Sequence, residues 1–210
     1  MNVITIQHTQ SQHHLNQMVG SWTDWPLTEK GIAQAEIIVR KLAKIKQIEN
    51  YHIYTSDFCR CQDIAKMLQE NTGSPLTVTP KLRGKHYGQA CGKSDAWLEA
   101  HRLPYLGYDA RDIDYRYFED AENTIDTYNR VKPFFEEILS AEQDIVLVGH
   151  GDILNLFYAH WLGLSIEMLR SVDIFTEPGS VSFFKMLPNK KRIALKIGDT
   201  SFMQQTEELL

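Results

Sequence analysis

Short apolar runs that stop abruptly at polar clusters recur along the chain. Val3-Ile4-Thr5-Ile6 runs into Gln7-His8-Thr9-Gln10-Ser11. Residues 52–55 run into Ser56-Asp57-Phe58-Cys59-Arg60, and Ile145-Val146-Leu147-Val148 runs into Gly149-His150-Gly151-Asp152. Such β-branched runs predict buried strands. A further short strand is predicted over 76–79, and a final hairpin or edge pair over 180–186 and 193–197, around Pro188-Asn189. Between the strands the apolar period changes to that of a helix. Ile32, Ala35, Ile38, Val39 and Leu42 share one face over 29–44, behind Thr28 as N-cap. Helices are also predicted over 58–70, closed by Asn71-Thr72-Gly73, over 122–140, and over 153–162, stopped at Gly163. Pro133 falls inside the third of these, where a kink is expected. Strands alternating with helices predict an α/β protein, a three-layer α/β/α sandwich with a largely parallel central sheet.

Three stretches break the rhythm. The polar segment after His8, with His13, His14, Asn16, Trp22 and Trp25, reads as a loop. So does the glycine-punctuated run 80–94. Residues 95–121 show no clean period and read as an insertion, helical near 95–101. Its Trp97, Tyr105, Tyr108, Tyr115, Tyr117 and Phe118 fit two readings, a lid that stacks on an organic group or packing onto the domain. The tail 204–210 is expected to fray.

Composition narrows the picture. The 210 residues suit one domain, 1–210, and 43% hydrophobic content supports a real core. A formal charge of −5 argues against a nucleic-acid footprint, which needs a basic face. There is no run of apolar residues long enough for a membrane span and no signal-peptide pattern at the start, so no membrane partner is expected. Cys59, Cys61 and Cys91 are too few for a disulfide framework and wrongly spaced for a zinc site. A reduced, cytoplasmic protein is the expectation. Nothing in the chain fixes an oligomeric state.

Ligands in open α/β sheets bind beyond the carboxyl ends of the strands. Three strand ends here offer His8, Arg60 and His150 to one crevice. A histidine is a usable nucleophile near neutral pH, and an arginine is a fixed fork for phosphate oxygens. The Gly149-His150-Gly151 turn places its histidine at a helix N-terminus, which favours anions. The adjacent His13 and His14 invite a metal reading with His8 or His86, but solvated loop histidines are the commoner case, and no metal is expected. The run from Gly88 to Lys93-Ser94 lacks the glycine spacing and the feeding strand of a phosphate-binding P-loop and is set aside.

These residues resemble the histidine phosphatase superfamily, the phosphoglycerate mutase-like family. Its opening strand and Arg-His-Gly-Glu-Thr correspond to Gln7-His8-Thr9-Gln10-Ser11. Its Gly-Trp-x-Asp-x-Pro-Leu-Thr-x-x-Gly-x-x-Gln-Ala is nearly matched from Gly20-Ser21-Trp22 through Pro26-Leu27-Thr28 and Gly31 to Gln34-Ala35. Its Ser-Asp-x-x-Arg-x-x-x-x-Ala is matched by Ser56, Asp57, Arg60 and Ala65, and its late strand plus His-Gly by His150-Gly151. Any one match is weak; four in order are strong. The resemblance implies that His8 attacks phosphorus and carries the phosphoryl group as phosphohistidine. It implies that Arg60 and His150 hold the equatorial oxygens, with Gln7, Asn16, Lys85 and His86 as further substrate contacts. It implies no cofactor, and a small phosphorylated metabolite as substrate.

Two positions depart from the pattern. The family's first arginine is Gln7, which donates a hydrogen bond but carries no charge. A charge-assisted bond contributes roughly 1.5–3 kcal/mol against about 1 for a neutral one, so phosphate grip falls by about tenfold. The family's acid glutamate, in a Leu-x-Glu segment, is Gly84, and loss of a general acid slows a reaction on the order of 10²–10⁴-fold. Two side chains are candidates to replace it, His86 ahead of Asp152. If the remaining geometry is intact, Gly84→Glu is expected to raise the rate. The expected function is therefore a metal-independent phosphatase of small metabolites with weakened turnover. The alternatives are a regulatory protein that binds a phosphorylated ligand without turnover, a phosphoglycerate mutase-like phosphotransferase, and a metal-dependent hydrolase using His13, His14 and His86. A missing asparagine after His150-Gly151 argues against the mutase.

Overall fold

The computed structural model describes residues 1–105 and 113–204. Its centre is a six-stranded sheet built from β1 (Asn2–Gln7), β2 (His52–Ser56), β3 (Leu76–Thr79), β4 (Ile145–Gly149), β5 (Val181–Met186) and β6 (Arg192–Asp199). The strand order is β3-β2-β4-β1-β5-β6. The first four in that order run parallel, whereas β5 is antiparallel to β1 and β6 to β5. The sheet is thus mixed, with a parallel centre and an antiparallel hairpin at one edge, where the short link around Pro188 allows no crossover.

Among the described residues, six α-helices join these strands: α1 (Gln12–Asn16), α2 (Glu29–Leu42), α3 (Cys59–Thr72), α4 (Asp95–His101), α5 (Thr124–Ser140) and α6 (Gly151–Leu162). Successive strand residues point to opposite faces. On β4, Val146 and Val148 pack with Ile38, Leu42, Ile64 and Leu68 of α2 and α3. Ile145 and Leu147 pack with Phe135 and Ile138 of α5 and with Phe157 and Trp161 of α6. Burying both faces explains why β1 and β4 read as continuous apolar runs.

Register does most to position the site. Gln7 lies opposite Gly149 in the β1–β4 ladder, and the His8 N–H donates to the Gly149 carbonyl at 3.0 Å. The next residues, His8 and His150, therefore leave the sheet side by side. On the other side of β4, Thr55 pairs with Val148, which brings Ser56 level with the same edge. The α2 N-terminus closes tightly over the segment after β1. Thr28 caps it by accepting the Gly31 N–H at 2.9 Å, and a Cβ on Gly31 would sit 1.9 Å from the Gln10 carbonyl oxygen. Only glycine fits there.

Some expectations change. The segment after His8 is not all loop; α1 is a single capped turn, too short to show a period. Helix α6 starts at Gly151 with His150 as its N-cap, two residues earlier than predicted. Pro133 sits inside α5, which runs unbroken. Ile32, placed by spacing on the apolar face of α2, is 39% exposed. The insertion divides between its two readings. Phe118 is buried with Val19, Ala90 and Leu98, while Tyr105 and Tyr117 line a cavity. Tyr108, with the rest of 106–112, and residues 205–210 of the tail lie outside the described residues. No helix among the described residues is long and apolar enough to cross a membrane.

Candidate active site

His8 is 5% exposed, and its Nδ1–H donates to the Thr9 carbonyl at 2.9 Å. A carbonyl can only accept, so the ring proton is fixed on Nδ1 and the lone pair stays on Nε2. The ring meets His150 edge-on at 5.3 Å. Burial first, then the Arg60 guanidinium, hold the His8 imidazole well below the usual histidine range, against the opposing pull of the Thr9 bond. His150 is lowered in the same way, by burial and then by Arg60 and His8. Both rings are therefore neutral at physiological pH. The His150 Nε2 shares a 3.0 Å hydrogen bond with Ser56 Oγ, which holds the ring at the ends of β2 and β4.

Arg60 is 2% exposed at the start of α3. One face of its guanidinium covers the Phe58 ring, 4.8 Å from the ring centre. Its Nη1 and Nη2 donate to the carbonyls of Thr23 and Ser21, at 2.6 and 3.1 Å. Its Nε, also buried, has no hydrogen-bond partner among the described residues. A buried unpaired donor on a cation is costly unless an anion completes it. Asp57, three residues before Arg60, is not its partner among the described residues; Asp57 is gripped by both Arg83 Nε and Nη2. Cys61 adjoins His150, but burial pushes its thiol up to about 12, so it offers no thiolate.

The remaining candidates separate. Gln7 is buried, and its Oε1 accepts from Thr176 Oγ1 at 2.8 Å. Its amide lies against Gly151, where a Cβ would meet Gln7 Nε2 at 2.9 Å. Gln7 is thus clamped between Thr176 and α6. Gln7, Lys85 and Asp152 line a cavity of about 800 Å³ whose apolar walls include Tyr87, Leu156 and Phe175. His8, Arg60 and His150 do not line this cavity; Gln7, next to His8 in the chain, and Asp152, two residues after His150, do. Lys85 Nζ donates to Thr124 Oγ1 at 3.1 Å, and burial lowers its ammonium against the pull of Asp152.

Two expectations fail here. Asn16 is exposed at the end of α1, and the ring stacked on His8 at 5.5 Å is that of His14. The α1 turn brings His14, not Asn16, over His8. His86 turns away from the cavity: its Nδ1 lies 3.3 Å from the Asp120 carbonyl, and its ring packs edge-on to Trp22.

The space beside Gly84 belongs instead to Asp152. A Cβ built on Gly84 would lie 3.3 and 3.4 Å from the two Asp152 carboxylate oxygens and 3.4 Å from His150 Cγ. Asp152 Oδ2 accepts the Lys85 N–H, and Oδ1 accepts the Ile153 N–H at 2.8 Å. Sequence reasoning ranked this residue below His86, since nothing in the order of residues shows which side chain fills the space beside Gly84. The loop carrying Gly84 is itself fixed. Arg130 Nη2 and Trp22 Nε1 both donate to the Gly84 carbonyl, at 3.0 and 2.8 Å, and Arg130 is anchored on Glu122 at 2.7 Å. Burial would raise the Glu122 carboxyl, but the bonds from Arg130 and the His86 N–H hold it below its usual value.

A buried neutral histidine with a committed Nδ1, a buried arginine with an open Nε, and a second histidine at a helix N-terminus are the parts needed to transfer a phosphoryl group. Comparison with known proteins gives the family. The model of the histidine phosphatase superfamily (branch 1) matches residues 3–197, so the chain belongs to that family. A 2,3-bisphosphoglycerate-dependent phosphoglycerate mutase of Lactobacillus johnsonii is 26% identical over 199 residues, covering 82% of this chain and 87% of that protein. Among solved structures, a mycobacterial glucosyl-3-phosphoglycerate phosphatase complexed with VO3 superposes with a TM-score of 0.79, at 22% identity, over 92% of this chain and 97% of that one. The α-ribazole phosphatase of Shigella flexneri gives a TM-score of 0.78 at 19% identity, over 95% and 97% of the two chains. These likenesses establish the fold; the family includes both phosphatases and mutases.

Proposed function

We propose that the protein is a phosphatase of small organic phosphates that works through a phosphohistidine on His8. The observation that carries this reading is the commitment of His8 Nδ1–H to the Thr9 carbonyl in a buried site beside Arg60 and His150. Nε2 attacks phosphorus in line as the ester P–O bond breaks. Arg60 and His150 offset the charge on the equatorial oxygens. Asp152 delivers a proton to the leaving oxygen, then takes one from the water that breaks the P–N bond and releases inorganic phosphate. Asp152 fills this role because its carboxylate adjoins both Gly84 and His150. The apolar walls of the 800 Å³ cavity suit an ester with a sizeable organic group. Protonation of the leaving group matters most for alkyl esters and least for aryl or acyl phosphates, so the latter turn over fastest if the acid is weak.

A second reading, a binding protein without turnover, is favoured by the clamping of the uncharged Gln7 onto Thr176. Assay of an aryl phosphate with sugar, nucleotide and acyl phosphates, in EDTA and beside His8→Ala, separates the two. Turnover lost in His8→Ala is the expected result. Absence of turnover on every substrate, with inorganic phosphate still raising the melting temperature, establishes the binding protein.

A further inference from the structure

The loop after β1 carries two histidines that the phosphatase reading does not use. His13 and His14 pack together with ring centres 4.1 Å apart, and His8 lies 5.9 and 5.5 Å from them. One ring nitrogen from each of the three lies within 4.8 Å of the others. On His8 and His13 one ring nitrogen is already engaged; in metal sites the nitrogen turned away from the metal is held by a carboxylate, carbonyl or water. His8 Nδ1 is bonded to the Thr9 carbonyl at 2.9 Å and His13 Nδ1 to Ser11 Oγ at 2.8 Å, which leaves Nε2 free on both. On His14, Nδ1 accepts the Ser11 N–H at a long 3.2 Å, and this ring is the exposed member of the three. It is the one that must swing to complete a site.

An approach path exists. A cavity of about 490 Å³, which shares Tyr87 and Tyr117 with the one described above, is lined by His13, His14, Asp95 and Glu99, with no lysine or arginine in its wall among the described residues. Glu99 is paired with Arg102 at 2.8 Å, and the Arg60 guanidinium, which lowers all three histidines, opposes a cation, so the imidazole lone pairs must supply most of the binding. Gly20 makes room for the inner histidine: a Cβ there would lie 2.7 Å from His13 Nε2.

We propose that His8, His13 and His14 form a binding site for a transition-metal dication of the zinc class, and that the metal switches the phosphatase off. Three neutral imidazoles with a fourth position open are a known zinc donor set, and imidazole suits zinc, copper and nickel. Zinc–nitrogen bonds of about 2.0–2.1 Å require the cluster to contract, which the short exposed α1 turn permits. The lone pair that would hold the metal is the His8 Nε2 that attacks phosphorus. Metal and phosphoryl group therefore exclude one another, and the metal is an inhibitor rather than a cofactor. Metal binding stands on the cluster alone; the inhibition rests on the phosphatase reading.

Zinc titration of the whole protein against a chromogenic chelator tests the site without any assay of turnover. One zinc per chain is expected. His8→Ala and His13→Asn are each expected to weaken it by more than about tenfold, since even an outer-shell partner shifts metal affinity 10–100-fold. Gly20→Ala supplies a variant that leaves all three ligands in place; its methyl displaces the His13 ring and weakens zinc in the same sense. Orthovanadate, a phosphate mimic, is expected to raise the apparent zinc dissociation constant. No stoichiometric zinc, zinc uptake equal in wild type and the three variants, or zinc uptake indifferent to vanadate each overturns the proposal. Stoichiometric zinc uptake by a protein that shows no turnover even in chelator would instead count against the phosphatase reading.

Discussion

In the proposed reaction, Asp152 stands in for the glutamate that the family resemblance puts at Gly84. Its carboxylate reaches the space beside Gly84 from the α6 N-terminus, sixty-eight positions away in sequence. The effect of Asp152→Asn should therefore depend on the substrate. With alkyl phosphates the rate should fall on the order of 10²–10⁴-fold, the range for loss of a general acid. With an aryl phosphate, whose leaving group needs little protonation, the fall should be far smaller. Equal losses on both, read from kcat on a series of esters of graded leaving-group acidity, would assign Asp152 a purely structural part in holding the Lys85 N–H. The same geometry revises the expectation for Gly84→Glu. Its Cβ would meet the Asp152 carboxylate at 3.3 Å, so the single variant crowds two acids together and no gain is expected. The gain should appear when Gly84→Glu is introduced into Asp152→Ala, whose rate it should raise. If the double variant is no faster than Asp152→Ala, the space beside Gly84 is not the acid's position.

Elements were legible where a period or a cap marks them. Strands β1 and β4 were visible because both of their faces are buried, and α2 because Thr28 and its apolar stripe agree. The single turn α1 was not, since five residues cannot display a helical period, and with it went the placement of Asn16 and His14. His86 misled for a related reason. Its sequence distance from Gly84 is short, but the Glu122 bond to its N–H and the Asp120 carbonyl turn the ring outward. The tightest element contact is at Gly31. A methyl there would strike the Gln10 carbonyl at 1.9 Å, a backbone atom that cannot step aside. Gly31→Ala should therefore destabilise the fold by at least the roughly 1–3 kcal/mol typical of overpacking, read as a lowered denaturant midpoint. An unchanged midpoint would mean that the loop after β1 is freer than its packing on α2 implies.

At the scale of the whole molecule, the active edge is a concentration of histidines kept neutral. Burial is the first cause of lowering for His8, His13, His14 and His150, and it takes His13 to about 3. Unfolded histidines titrate near about 6.5. Below that pH the unfolded chain takes up protons that the folded chain refuses, so stability falls as pH falls. Unfolding should be insensitive to these groups above about pH 7 and become steadily easier from about pH 6.5 downward. His13→Asn should flatten that slope. A midpoint unchanged between about pH 7 and about pH 5 would show that the rings are solvated, not buried. The family itself was legible because four motifs occur in the right order. What the motifs did not carry was the replacement chemistry, because it depends on which side chains fill the spaces that Gln7 and Gly84 leave.

The most direct test of the account is to trap the phosphohistidine that the proposed reaction forms. The protein is mixed with an aryl phosphate, quenched within the first turnover into alkali, where phosphohistidine survives, and digested for mass spectrometry. The account predicts an acid-labile phosphoryl group on His8, in the N-terminal tryptic peptide that ends at Lys30, and none in His8→Ala. Turnover with no phosphorylated intermediate, or with the phosphoryl group on His13, His14 or His150 instead, would contradict it.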